Sequence, residues 1–185
     1  MSNHMYTRLI NRSFPLPSDF VPSSLVDSKI PFHTIHDQCQ LLDSRAASAA
    51  RKLIHASQKE GLNLLAISGY RSYARQKKLF SGNPYIAPPG TSEHQSGLAL
   101  DLSCPSIQMK LSTDFARTKE GLWLKQNASL YGFILRYPKD KEETTGYPWE
   151  PWHIRYVTKP LALWLSLTGM TLEEYHQLPG PPSYK

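Results

Sequence analysis

Two short stretches hold residues whose types and spacing could do chemistry together. The first runs from Thr91 to Leu102 and contains an imidazole, His94, and a carboxylate, Asp101. The second runs from Tyr147 to Val157 and contains another imidazole, His153, with Glu150 three residues before it. Two imidazoles and one carboxylate form the ligand set of a catalytic zinc site, which keeps a fourth position open and needs a base close by. His94, Asp101 and His153 are therefore candidate ligands for one Zn2+ per chain, and Glu150 is the candidate base. Any one of these histidines alone is more simply a satisfied core residue. The argument lies in the combination, because both stretches place an acid near a histidine with Gly or Pro punctuation.

The elements that must position them alternate with a period of two. From Leu98 to Ser103, Leu98, Leu100 and Leu102 share the face that should pack inward. Ala99, Asp101 and Ser103 share the other, which should look onto an open polar space. His94 stands an odd number of residues before Asp101, so a continuous strand would aim it away. Ser96-Gly97 breaks the strand and lets the chain turn the imidazole back. In the second stretch His153, Arg155 and Val157 share one face and Trp152, Ile154 and Tyr156 the other, with Pro151 expected to hold Glu150 just outside the ladder. Two such strands side by side would gather His94, Asp101 and His153 around one point.

The pattern Ser92-x-His94-x-x-Gly97-x-Ala99-x-Asp101, with Glu150-Pro-Trp-His153, resembles the two signatures of the VanY-type D-alanyl-D-alanine carboxypeptidases. These are related to the vancomycin-resistance D,D-dipeptidases and more distantly to the hedgehog zinc fold. Ser68-Gly69-Tyr70-Arg71-Ser72 with Gln76, and the segment Tyr131 to Pro138, match further family elements, so the resemblance runs from about Leu9 to Tyr175.

It implies a zinc-dependent D,D- or L,D-carboxypeptidase removing the terminal D-alanine from peptidoglycan stem peptides. It also implies Arg71 as the electrophile beside a developing oxyanion, and Gln76 and Ser92 as substrate contacts. Trp152, with Tyr147 and Trp149, is a candidate cleft wall. The alternatives are a D,D-dipeptidase or muropeptide endopeptidase of the same fold, or a non-catalytic metal-stabilised peptidoglycan-binding module. Glu150 and Arg71 argue against the last, since a purely structural site requires neither.

The rest of the chain reads as one α+β domain over residues 1–185: a small antiparallel sheet flanked by helices. Residues 1–36 read as an extended arm and 179–185 as a frayed tail. Helices are expected from Asp43 or Ser44 to Glu60, from Ser72 through Phe80, and from Thr118 to Leu130 with Leu122, Trp123, Gln126 and Leu130 on one face. Thr158 should cap a helix through Leu167, and Thr171 to Glu174 is a capping box. The Lys139 to Glu143 run reads as a solvated hairpin tip, and residues 81–93 as a loop that either borders the substrate or is a plain connector.

The net charge of +6 comes from scattered Lys and Arg with no basic helix, which argues against nucleic acid and suits anionic wall polymers equally well. The two cysteines, Cys39 and Cys104, form no disulfide framework and read as buried thiols. No apolar run approaches the ~20 residues of a membrane span, and the N-terminus carries no signal-peptide pattern. A monomer is expected, in the cell envelope through an anchor preceding Met5 or, alternatively, in the cytoplasm.

Overall fold

The structure, a computed structural model, describes residues 4–36 and 38–178. The tail expected from Pro179 lies outside them. A helical turn α1 (His4–Thr7) leads into an arm whose strand β1 (Leu25–Asp27) pairs antiparallel with β2 (Leu41–Asp43). Helix α2 (Ser44–Lys59) follows at once, because the Asp43 carboxylate accepts the free backbone N–H groups of Arg45 and Ala46. Its Ala46, Ala50, Leu53 and Ile54 are buried as one apolar stripe.

Strand β3 (Leu65–Ser68) and helix α3 (Tyr73–Leu79) come next, with the Ser72 hydroxyl accepting the N–H of Arg75 as the α3 cap. They are followed by β4 (Ala99–Ser103), α4 (Lys119–Asn127), β5 (Phe133–Tyr137), α5 (Glu142–Thr145), β6 (Glu150–Tyr156), α6 (Lys159–Thr168) and α7 (Leu172–Gln177). The sheet is antiparallel throughout, in the order β3-β4-β6-β5. Its β3 edge is covered by the arm, where Phe32 bridges Ala66. The fold is thus the expected α+β arrangement.

The two faces of the sheet have different work. Leu98, Leu100, Leu102, Phe133 and Ile154 join Leu53 and Ile54 of α2 and Trp123 and Leu124 of α4 in one buried apolar cluster. Each such side chain contributes ~1.5–3 kcal/mol on leaving water, which fixes the inward face of β4. With period two fixed there, Asp101 must face the other way. Register then does the rest: Asp101 pairs with His153 on one side and with Ser68 on the other.

Several local expectations are corrected. Glu150 is not outside the ladder; it opens β6 and pairs with Tyr137. Ala99, Asp101 and Ser103 are all buried, and of these three Asp101 lines the cleft above the sheet. On α4 the buried apolar side chains are Trp123 and Leu124, while Leu122 is half exposed on the solvent side of the helix. Leu130, also half exposed, lies beyond α4 in a 3-10 turn at Ala128–Tyr131 that breaks the helical period. Thr158 precedes α6 at φ +80° and its side chain caps nothing. The charged run after Lys139 is tied down, with Lys141 Nζ 2.7 Å from the carboxylate of Glu174, which itself completes the Thr171 capping box. Cys39 and Cys104 are buried free thiols.

Candidate metal centre and active site

His94 sits in a 3-10 turn, Glu93–Ser96, that Gly97 ends in the left-handed conformation at φ +71°. A side chain there would need space already taken, as a Cβ would lie 2.8 Å from Leu25 Cδ2 and 3.0 Å from the Asp43 nitrogen. The turn swings the imidazole over β4, so that His94 Nε2 lies 3.1 Å from Asp101 Oδ2. His153 arrives through the strand pairing, its Nδ1 2.8 Å from Asp101 Oδ1. One ligand atom from each of His94, Asp101 and His153 falls within 4.8 Å of the others, and all three side chains are buried.

The donor set fits a cation on chemical grounds. His94 Nδ1 is 2.6 Å from the carbonyl of Gly69, which can only accept, so Nδ1 carries the proton. Burial lowers the pKa of His94, keeping it neutral, so its Nε2 presents a lone pair to the Asp101 carboxylate. Two acceptors at 3.1 Å repel unless a positive charge lies between them. Asp101 supplies the anion. Burial opposes its charge, but His94 and His153 hold its pKa well below the usual carboxylate range.

Glu150 reaches the centre by an irregularity. It is three residues before His153, an odd spacing that would face the opposite side in a regular strand. The β5–β6 register shifts between Leu135 and Tyr137, around Pro151, which has no N–H to give the ladder. Glu150 Oε2 consequently comes within 3.9 Å of His153 Nδ1. Burial pushes its carboxyl up to about 8, with His153 and Arg71 opposing and Asp101 and Glu93 adding to the rise. A buried acid poised near neutrality suits proton transfer.

Arg71 follows β3 and turns over the same point. Its Nη2 donates to Ser68 Oγ at 3.1 Å and stands 3.7 Å from Asp101 Oδ2, while Nη1 donates to Gln76 Oε1 at 2.8 Å. Gln76, expected as a substrate contact, has its other end engaged too: Nε2 donates to the Ala87 carbonyl at 2.6 Å. It is buried and stands outside the lining of the cleft. Ser92 and Trp152 do line that cleft, a space of about 490 Å³ that opens over His94, Asp101, His153 and Glu150. The Trp152 ring also packs in the core and faces Tyr85, a residue of the 81–93 loop, at 5.9 Å.

The sequence reading missed what lies behind His153. Tyr137 stacks on its ring at 5.0 Å, and Glu93, fully buried, pairs with Arg136 and Arg155. The available signal was the arginine inside each of two strands, Phe133–Tyr137 and Glu150–Tyr156, since a buried guanidinium demands a buried anion.

Two buried ligands on adjacent strands and a third on the turn before them, with a tuned carboxyl and an arginine at the floor of a cleft, define a metallohydrolase. Residues 39–159 match the VanY D-alanyl-D-alanine carboxypeptidase family. The putative carboxypeptidase YodJ of Bacillus subtilis is 42% identical over 180 residues, 91% of this chain; the chain spans just under two thirds of YodJ, 66% of its length. The structure of the LD-carboxypeptidase LdcB superposes with a TM-score of 0.87 at 42% identity, covering 91% of this chain and 84% of LdcB. A vancomycin-resistance D,D-pentapeptidase VanY mutant in complex with Zn(II) superposes with a TM-score of 0.75 at 29% identity, covering 94% and 99%. The chain belongs to the VanY D-alanyl-D-alanine carboxypeptidase family.

Proposed function

We propose that this chain is a zinc-dependent carboxypeptidase that removes the terminal D-alanine from peptidoglycan stem peptides. The observation that carries the reading is the meeting of His94, Asp101 and His153 beside Glu150 at the floor of an open cleft. Membership of the VanY family and the zinc held by a related VanY support it. The related structures include an LD-carboxypeptidase, LdcB, and a D,D-pentapeptidase, VanY, so the reading covers both the L-to-D and the D-Ala-D-Ala bond.

His94 through Nε2, His153 through Nδ1 and Asp101 would hold the zinc. When bound, the metal supplies Lewis acidity at the scissile carbonyl and brings the pKa of water to ~7. Glu150 accepts a proton from the attacking water and returns it to the leaving amine, so the C–N bond breaks as the C–O bond forms and no net proton is consumed. Arg71 lays a permanent positive charge beside the oxygen that becomes anionic. Gln76 holds that guanidinium against the Ala87 loop. Ser92 and Trp152 line the space the peptide enters. The enzyme acts as a monomer on peptides, without nucleic acid, and no helix among the described residues is long and apolar enough to cross a membrane.

Mass spectrometry of purified tetrapeptide stem, pentapeptide stem and D-Ala-D-Ala, incubated with the protein, tests the reading. Release of one D-alanine from a stem, abolished by chelator and restored by zinc, is expected. Binding of the stems with no turnover on any of them would instead make this a binding module.

A further inference from the structure

Glu93 is adjacent to the ligand His94 in sequence but serves the other histidine in space. Its Oε1 accepts from Arg136 Nε at 2.7 Å and ion-pairs with Arg155 Nη1 at 2.9 Å. Its Oε2 points instead at His153 Nε2, 3.6 Å away. Both of these atoms are buried, and neither has a hydrogen-bond partner among the described residues. The two orphans therefore face one another, separated by slightly more than a hydrogen bond. A small rotation of either side chain closes it.

The pose of Glu93 is fixed from behind. Arg136, fully buried, gives its two terminal nitrogens to Glu173 of α7 at 2.8 and 2.6 Å, and so spans Glu93 and Glu173. Arg155, also fully buried, donates to the carbonyls of Arg8 at 3.1 Å and Tyr156 at 3.1 Å. Two carboxylates and two guanidiniums balance, so the group can be buried as a unit. The His153 ring is meanwhile sandwiched, with Tyr137 stacked on its face and the edge of His94 at 5.1 Å.

We propose that Glu93 is the positioning residue of the metal centre: its Oε2 takes the Nε2–H of His153 and so fixes Nδ1 as the nitrogen turned to the metal. The Arg136–Glu173 pair holds Glu93 in that pose, linking the C-terminal helix to the site. This rests on the metal-site reading above. A carboxylate behind a metal-ligating imidazole selects the tautomer and strengthens the ligand. The rival account makes Glu93 only the counter-charge of two buried arginines, a duty Glu173 shares.

The test compares zinc affinities of the full chain by competition with a chromophoric chelator. Glu93→Gln is expected to weaken zinc by about 10- to 100-fold, and Glu173→Gln by less than about threefold. The pair Glu93→Gln with Arg155→Met removes one charge of each sign and gives the same readout if the single variant folds poorly. Long-range 1H–15N spectra of the zinc-loaded parent supply a measurement that needs no variant. They should show His153 metallated at Nδ1 with a protonated Nε2. A folded Glu93 variant with parental zinc affinity, equal losses in the Glu93 and Glu173 variants, or metal on Nε2 of His153 would each overturn the proposal. A parent that binds no zinc removes the metal-site reading itself.

Discussion

His153 Nδ1 and Asp101 Oδ1 lie 2.8 Å apart because β4 and β6 pair these two residues directly. The contact is thus written into the register of the sheet and not into a loop. Slipping that register by one residue would turn His153 to the apolar face and dismantle the site. The apolar side chains that hold the register, Leu100 opposite Ile154 among them, are fully buried.

Glu150→Gln should separate chemistry from metal binding. The amide keeps the size of the side chain and its place opposite Tyr137, but cannot take a proton. Turnover should fall by ~10²–10⁴-fold with zinc content unchanged. A loss under about tenfold, equivalent to ~1.4 kcal/mol of barrier, would remove Glu150 from the base role.

Arg71→Lys should cost activity although the charge is kept. One ammonium cannot span Ser68, Gln76 and Asp101 as the guanidinium does. A fall in kcat of ~10²–10³-fold with zinc retained is expected. Gln76→Ala should act in the same direction but less strongly, since it loosens Arg71 without removing it. Equal kcat in Arg71→Lys and parent would show that Arg71 only pairs with Asp101.

Metal-free protein should lose stability as pH rises from 6 to 9. Burial opposes the proton on His153, but its bond to Asp101, the approach of the Glu93 carboxylate to its ring N–H, and the charges of Asp101 and Glu150 outweigh burial and raise the pKa to about 9. A proton held more tightly in the folded state stabilises below the unfolded value of ~6.5 and stops doing so above about 9. Glu150, raised by burial to about 8, has the same sign, staying protonated in the fold where the unfolded chain has ionised. Thermal melting after chelator treatment should therefore give a lower midpoint at pH 9 than at pH 6. Zinc-loaded protein should show the opposite trend at the acid end, because protons compete for the ligands. A metal-free midpoint as high at pH 9 as at pH 6 refutes this.

Gly69→Ala should damage both fold and metal. Its Cβ would sit 2.6 Å from the Cys39 carbonyl oxygen and 2.8 Å from that of Leu41, two backbone atoms with little freedom to retreat. The displaced peptide is the one whose carbonyl holds His94 Nδ1. Destabilisation of ~1–3 kcal/mol by denaturant melting, with weaker zinc binding, is expected. Unchanged zinc affinity in a destabilised variant would show that the Gly69 carbonyl does not orient His94.

The sequence alone determined the inward faces and the residues left facing outward. Alternation along Leu98–Ser103 needs only local geometry, since burying the leucines forces Asp101 onto the opposite side. Gly97 likewise announces a turn, and Asp43, Ser72 and Thr171 announce helix starts, because caps are local hydrogen bonds. Tertiary structure alone decided three things. The shift in the β5–β6 register that admits Glu150 depends on strands far apart in the chain. Gln76 binds Arg71 and the Ala87 carbonyl because α3 folds beside that loop, and no spacing encodes this. Glu93 read as one acid among fifteen Asp and Glu residues. Its place among Arg136, Arg155 and His153 exists only when β5, β6 and the turn before β4 meet, since a buried charge is tolerated solely where its partners converge from distant segments.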